Sequence, residues 1–144
     1  MTVEIYPAFS VPFGQRQYPD ALPFNRQLRQ LLLAREAEGT RYANPNPSLK
    51  LQRGVFESEF ELFSWPEPCV QELKRFCWES LGQIIAELNG YSPREMTGLQ
   101  IFSHTWYHVT RKGGYFGPHN HPMHSWSGVY CVSHGGDDPA SDSG

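Results

Sequence analysis

Between Asp20 and Gly39 the apolar residues recur every three or four positions, the spacing of one face of an α-helix. This face consists of Phe24, Leu28, Leu31 and Leu32. Gly39 stands where such a helix would end. The pattern predicts an amphipathic helix of about four turns. Upstream, residues 3–9 alternate briefly and predict an edge strand or an extended arm.

A second helical pattern opens near Pro66-Glu67-Pro68, since proline is tolerated in the first turn of a helix. Asn89-Gly90 ends the pattern with residues that accept left-handed backbone dihedrals. The prolines and asparagines of residues 42–48 predict a loop between the two helices. The apolar stripe of the second helix is Val70, Leu73, Phe76, Cys77, Leu81, Ile84 and Leu88.

After Pro93 the pattern changes from helical to strand-like. Residues 98–110 are rich in β-branched and aromatic side chains on both faces, which predicts a strand inside a sandwich or barrel. Arg111-Lys112-Gly113-Gly114 predicts a turn, and residues 127–132 predict another strand. The tail, residues 135–144, has the composition of a loop.

The composition fits one folded domain, with 39% hydrophobic and 14% aromatic residues in 144. Lysine and arginine are spread along a chain of net charge -3, so a nucleic-acid partner is not expected. No signal peptide and no apolar run of about eighteen residues is present, which predicts no membrane partner and a cytoplasmic location. Cys69, Cys77 and Cys131 form no close pair, and we predict buried free thiols.

The density of histidine after residue 103 is the strongest chemical signal. All six histidines lie between His104 and His134, and three fall within six residues. Residues two apart on a strand point to the same face, so His119 and His121 can present two imidazoles to one metal ion. Neutral imidazole suits Fe, Zn, Cu or Ni, and the ligand type alone does not choose among them.

Two other interpretations of the histidines stay open. They can belong to a polar loop in which each ring is exposed or hydrogen-bonded. Alternatively, His119, His121 and His124 have the histidine spacing of the metallo-β-lactamase-like hydrolases. In that motif an aspartate serves as ligand and general base, and Met123 occupies its place here.

The stretch from Val109 to His121 resembles the strand and turn of the prolyl-hydroxylase-like oxygenases, because Gly113 and Tyr115-Phe116 lead into His119-Asn120-His121. With Trp106, Pro122 and Ser127-Gly128-Val129-Tyr130 included, it is similar to a family of 2-oxoglutarate- and Fe(II)-dependent oxygenases known mostly from bacterial and phage genomes. The motif similarity covers residues 104–144.

The resemblance implies an α+β fold in which N-terminal helices pack on a partial double-stranded β-helix, a jelly-roll core. Residues 1–97 would form the helical support region and residues 98–144 the first strands of the core. The implied activity is a dioxygenase reaction, usually hydroxylation, with Fe(II) and 2-oxoglutarate as cofactors. The substrate, a small molecule, peptide or nucleotide, stays open. His119 matches the first histidine ligand, and His121 falls where the wider superfamily has a carboxylate.

The family pattern continues into a distal histidine and a basic residue that binds the cosubstrate carboxylate. Both should follow several strands after the first ligands, and His134 lies too near to be that histidine. We therefore expect a C-terminally truncated core. The alternative is a catalytically inactive fragment or a cupin-like metal-binding protein, although His124-Ser125-Trp126 stands where cupins have a glutamate.

Other residues of the motif have structural explanations. We interpret Trp106 and Tyr130 as core residues and Gly128 as a position of close strand packing. His104 and His108 flank Trp106 on one predicted face, and we interpret them as hydrogen-bonded histidines beside the core.

Overall fold

The computed structural model describes Val3, residues 10–47 and residues 52–134. Its regular elements are helices and a two-stranded antiparallel sheet, the α+β class that the sequence predicts. The predicted arm at residues 3–9, apart from Val3, and the tail at residues 135–144 lie outside the described residues. In chain order the elements are α1 (Ala21–Ala37), β1 (Gln52–Glu57), α2 (Pro68–Asn89), α3 (Pro93–Met96) and β2 (His108–Phe116), with 3-10 turns at Gly39–Arg41 and Leu62–Ser64.

Both long helices occur where the apolar periodicity predicts them. Gly39 follows α1 at φ 62, and Gly90 caps α2 at φ 65, a left-handed conformation that glycine adopts without steric cost. The predicted stripe of α2 is buried only in its first half, and its last member, Leu88, is 50% exposed. No described helix is long and apolar enough to cross a membrane. The buried stripe residues are Phe24, Leu28 and Leu32 from α1 and Val70, Leu73 and Phe76 from α2.

The helices share one hydrophobic core with the segments beside the sheet. Tyr107 joins them, because its buried ring packs in this core and its hydroxyl donates to the Leu32 carbonyl at 3.2 Å. Burial and the nearby Glu36 carboxylate raise the pKa of Tyr107. Tyr130 packs against the same cluster and donates to Asn25 Oδ1 at 2.6 Å, so its prediction as a core residue is confirmed.

The sheet contains a large bulge where the sequence predicts a turn. Arg53 pairs with Tyr115 and Val55 with Thr110, so residues 111–114 lie opposite Gly54 alone. Gly54 and Gly113 have φ 60 and 73, values that side-chain-bearing residues rarely adopt. The turn prediction was therefore wrong: these glycines let β2 continue past an irregular register instead of reversing the chain.

Among the described residues, one predicted strand is formed only in part and another is absent. Residues 98–107 form no regular strand, and β2 begins only at His108. A segment of high strand propensity forms a strand only where a neighbouring backbone pairs with it. Before His108 the backbone makes isolated hydrogen bonds instead of a ladder, such as the one from Leu62 N–H to the Thr105 carbonyl at 2.9 Å. The predicted strand at residues 127–132 is irregular as well.

All three cysteines are free, as predicted. Cys69 and Cys77 are partly buried, and burial raises the pKa of the Cys77 thiol to about 11. Cys131 is exposed. Its predicted burial was wrong because the segment around it is not part of the sheet.

Leu28 is fully buried, so Leu28→Ala should lower the free energy of unfolding by about 2–5 kcal/mol, because it removes apolar contacts and leaves a cavity. The matched control is Leu22→Ala in the same helix, where the side chain is 75% exposed. Urea unfolding of both variants measures the difference. Equal losses would contradict a core centred on Leu28.

Gly114→Ala tests the bulge. A Cβ at Gly114 would lie 2.7 Å from the carbonyl oxygens of Arg111 and Gly54, so we expect a loss of about 1–3 kcal/mol in unfolding free energy. A Cβ at Gly128 would meet nothing within 4 Å, so its predicted role in close packing was wrong. Gly128→Ala is therefore the control and should stabilise by up to about 1 kcal/mol. A neutral Gly114→Ala in thermal unfolding would contradict the bulge geometry.

Candidate metal centre

Eight aromatic and imidazole rings form one connected network of pairwise contacts along the sheet and the segments beside it. None is buried: five are exposed and three are partly exposed. Five of the six histidines belong to this group, which we call the histidine surface. Its members are Phe60, His104, Trp106, His108, Phe116, His119, His121 and His124.

Five of these rings form a closed circle. Phe116, the last residue of β2, stacks on His108 at 4.5 Å between centroids and contacts His119 at 5.0 Å. His119 and His121 are 4.9 Å apart, and His121 contacts Trp106 at 5.6 Å. Trp106 and His108 close the circle at 6.4 Å. The two predicted ligands are thus held between the end of β2 and the segment that precedes it.

A buried carboxylate anchors this circle to β1. Glu57 pairs with His108 in the sheet, and its side chain is only 8% exposed. Glu57 Oε2 lies 3.2 Å from His108 Nε2, and its other oxygen accepts from Asn44. Trp106 Nε1 lies 3.0 Å from the same His108 nitrogen. His108 is therefore hydrogen-bonded beside the core, as predicted.

His108 Nε2 cannot satisfy both neighbours at the same time. A carboxylate only accepts and an indole N–H only donates, so the position of the ring proton decides between them. With the proton on Nε2, His108 donates to Glu57; with Nε2 unprotonated, it accepts from Trp106. Trp106 is partly exposed and outside the core cluster, which corrects its prediction as a core residue. Its indole instead bridges His108 and His121 at the edge of the fold.

A backbone hydrogen bond fixes the proton of His119. Its Nδ1 lies 2.9 Å from the Gly117 carbonyl oxygen. Because a carbonyl only accepts, Nδ1 carries the proton, and in the neutral ring Nε2 keeps its lone pair. Metal-ligating histidines commonly donate their other ring N–H in this way, which fixes the ring orientation and raises its basicity. His119 therefore has the hydrogen bonding of a metal ligand.

The spacing of the two rings also fits one ion. A transition metal lies about 2.1 Å from an imidazole nitrogen, hence about 3.2 Å from the ring centroid. Two imidazoles on one ion then have centroids about 4.6 Å apart at a right angle and about 5.3 Å apart at the tetrahedral angle. The separation of 4.9 Å between His119 and His121 falls inside this interval.

His124 does not join this pair. Its ring contacts His104 at 5.5 Å, and His104 is linked to His121 through the rings of Phe60 and Trp106. In the part of the chain that the structure describes, no group of three or more His, Cys, Asp and Glu side chains is arranged to hold a metal. The three-histidine arrangement of the metallo-β-lactamase interpretation is therefore not formed.

Sequence analysis missed Glu57 and Phe60 because it assigned no element between residues 48 and 65. The available signal was short: Val55-Phe56 are typical strand residues, but Gly54 interrupts the run. The structure adds both side chains to the surroundings of the predicted site.

No family model matches the chain, and the comparisons with curated proteins and with solved structures found no match either. The resemblance to the oxygenases stays a prediction that rests on its motif residues.

The hydrogen bonds predict a tautomer. In the metal-free protein at neutral pH, the uncharged rings of His119 and His124 should carry the proton on Nδ1, because each Nδ1 lies 2.9 Å from a backbone carbonyl oxygen. Long-range proton-nitrogen NMR spectra of ¹⁵N-labelled protein distinguish the two tautomers. A proton on Nε2 of His119 would remove the lone pair that a metal ligand needs at this atom and would contradict this geometry.

Proposed function

We propose that the chain carries the first part of the catalytic core of an Fe(II)- and 2-oxoglutarate-dependent oxygenase, with His119 and His121 as metal ligands. The observation that carries the proposal is the pair of imidazoles 4.9 Å apart, one of which donates its Nδ1 proton to a backbone carbonyl. In this proposal β2 belongs to a jelly-roll core together with β1, which pairs with it from within the predicted support region of residues 1–97, and α1 and α2 are the helical support.

The order of elements supports this assignment. β2 ends at Phe116, and the ligand segment follows at once, with Gly117 buried and Pro118 limiting the backbone. The Phe116 ring then contacts His119, so the end of the strand itself orients the first ligand. Trp106 does the same for His121 from the preceding segment. A metal site requires such support for the side chains that bind the ion.

In this proposal, His119 Nε2 and the His121 imidazole bind Fe(II). When bound, Fe(II) supplies coordination positions for 2-oxoglutarate and dioxygen, and with them the oxidising chemistry of hydroxylation. His121 replaces the carboxylate of the wider superfamily with a neutral donor, so these two ligands leave the charge of the ion uncompensated. A more positive site attracts the dianionic 2-oxoglutarate more strongly, which makes His121 compatible with this cosubstrate.

A metal-binding protein without oxygenase activity, such as a cupin-like protein, is the second candidate. His124 favours it, because this residue has the same hydrogen bond from Nδ1 to a carbonyl as His119 but lies outside the matched ligand pair of the oxygenases. Both candidates place a metal ion at His119 and His121. They differ in whether 2-oxoglutarate is turned over.

Fe(II) binding under anaerobic conditions tests the shared part. Dialysis of the protein against Fe(II) should load the His119–His121 pair, and His119→Ala and His121→Ala should each weaken that binding by roughly tenfold or more. His134→Ala is the matched control, since it removes a histidine outside the histidine surface. Binding that is equal in all four proteins would contradict the assignment of the ligands.

Turnover then separates the two candidates. The iron-loaded protein is exposed to oxygen and 2-oxoglutarate, and succinate is measured. Succinate that disappears in His119→Ala supports the oxygenase. Iron binding that depends on His119 without any succinate is the result expected of a catalytically inactive fragment or of a metal-binding protein.

A further inference from the structure

The histidine surface contains a second close pair of imidazoles. His104 and His124 have ring centroids 5.5 Å apart and planes inclined by 60°. Both residues are exposed, and they are 20 positions apart in the sequence. Neither belongs to the ligand pair of the proposed oxygenase. The two residues come together because the chain returns past the segment before β2 after the turn at Pro122-Met123.

His124 has the same local arrangement as His119. Its Nδ1 lies 2.9 Å from the Pro122 carbonyl oxygen two residues before it, as His119 Nδ1 does from that of Gly117. Met123 between them takes φ 67, a left-handed conformation that brings the His124 side chain back toward this carbonyl. Nδ1 of His124 therefore carries the proton, and Nε2 of the neutral ring keeps a lone pair for a metal ion.

His104 is held in place by its neighbours. Phe60 stacks on it with a centroid separation of 6.3 Å and planes inclined by 19°, while the same Phe60 contacts Trp106 at 4.8 Å. The next residue, Thr105, is bonded through its backbone N–H to the Phe60 carbonyl at 3.2 Å and through its carbonyl to Leu62 N–H at 2.9 Å. The backbone that carries His104 is thus attached to the segment before α2.

The distance between the two rings fits shared coordination. Two imidazoles on one tetrahedral ion have centroids about 5.3 Å apart, given a metal–nitrogen bond of about 2.1 Å. The His104–His124 separation of 5.5 Å lies close to this value. The other close pair of imidazoles, His119 and His121, lies nearer the separation expected at a right angle.

We propose that His104 and His124 form a second binding site for a divalent transition metal, separate from the His119–His121 pair. Two neutral nitrogen donors select Zn, Ni, Cu or Co over Mg and Ca, which require oxygen ligands. Water completes the coordination of an ion at these exposed side chains, so the ion is exchangeable, unlike one in a closed structural site. The second site does not depend on the oxygenase proposal.

Calorimetric titration with Zn(II) alone tests the two sites together. The wild-type protein should bind two equivalents. The double variant His104→Asn/His124→Asn should bind one, and so should His119→Asn/His121→Asn. The matched control His134→Asn should still bind two. Far-ultraviolet circular dichroism of every variant checks that these substitutions of exposed or partly exposed side chains leave the fold intact.

A second readout locates the ion without relying on stoichiometry. In the His119→Asn/His121→Asn protein, added Zn(II) should shift the ring resonances of His104 and His124 together and leave those of His134 in place. This measurement also covers the case in which the first pair binds no metal. A single equivalent lost only in His104→Asn/His124→Asn would support the second site and contradict the first.

Two outcomes of the titration would overturn the second site. One is a wild-type protein whose Zn(II) binding is unchanged by His104→Asn/His124→Asn. The other is a single ion whose binding is abolished by either double variant, which would mean one site shared by all four histidines. Ring resonances of His104 and His124 that do not respond to Zn(II) in the protein lacking the first pair would lead to the same conclusion.

Discussion

The pairing of Ser58 with Tyr107 holds the sheet, the helices and the histidine surface together. Ser58 is fully buried; its N–H donates to the Tyr107 carbonyl at 3.1 Å, and its hydroxyl accepts from Tyr107 N–H at 3.0 Å. Tyr107 in turn donates to Leu32 of α1. A buried polar group without a partner would cost about 1–3 kcal/mol, so this small network is strongly constrained. Glu57 ends β1 immediately before Ser58, and His108 begins β2 immediately after Tyr107, so this network also positions the Glu57–His108 pair.

The extended segment from His104 to Val109 contributes side chains both to the core and to the histidine surface. Successive side chains of an extended backbone point in opposite directions. Tyr107 and Val109 therefore pack against the core, while His104, Trp106 and His108 face outward into the histidine surface. The burial of the aromatic core on one side thus determines where the imidazoles lie on the other. The same alternation explains why Trp106 orients His121 and does not pack in the core.

Backbone hydrogen bonds in the loop after β2 decide which imidazole nitrogens keep a lone pair. His119 and His124 each donate Nδ1–H to a carbonyl two residues earlier, which leaves Nε2 of each ring with a lone pair. Each then meets a second imidazole at a distance that fits one ion. The loop histidines therefore belong to two pairs, His119 with His121 and His124 with His104 of the segment before β2. The aromatic rings of Phe60, Trp106 and Phe116 lie between and beside these pairs.

The sequence by itself determined the features that depend on near neighbours. Helical hydrogen bonds join residues four apart, so apolar periodicity placed α1 and α2 and their capping glycines correctly. His119 and His121 were recognised as a pair because only one residue separates them. The alternation of residues 104–109 also predicted which side chains share a face, although the regular strand starts later.

Only the tertiary structure decided the features that depend on distant partners. β1 pairs with a strand more than 50 residues away, and no local pattern states that residues 111–114 form a bulge opposite Gly54 rather than a turn. The contact of His124 with His104, and of His108 with Glu57, likewise exists only after the sheet forms. The physical reason is that a strand is completed by backbone groups elsewhere in the chain, which neither its own composition nor its period can specify.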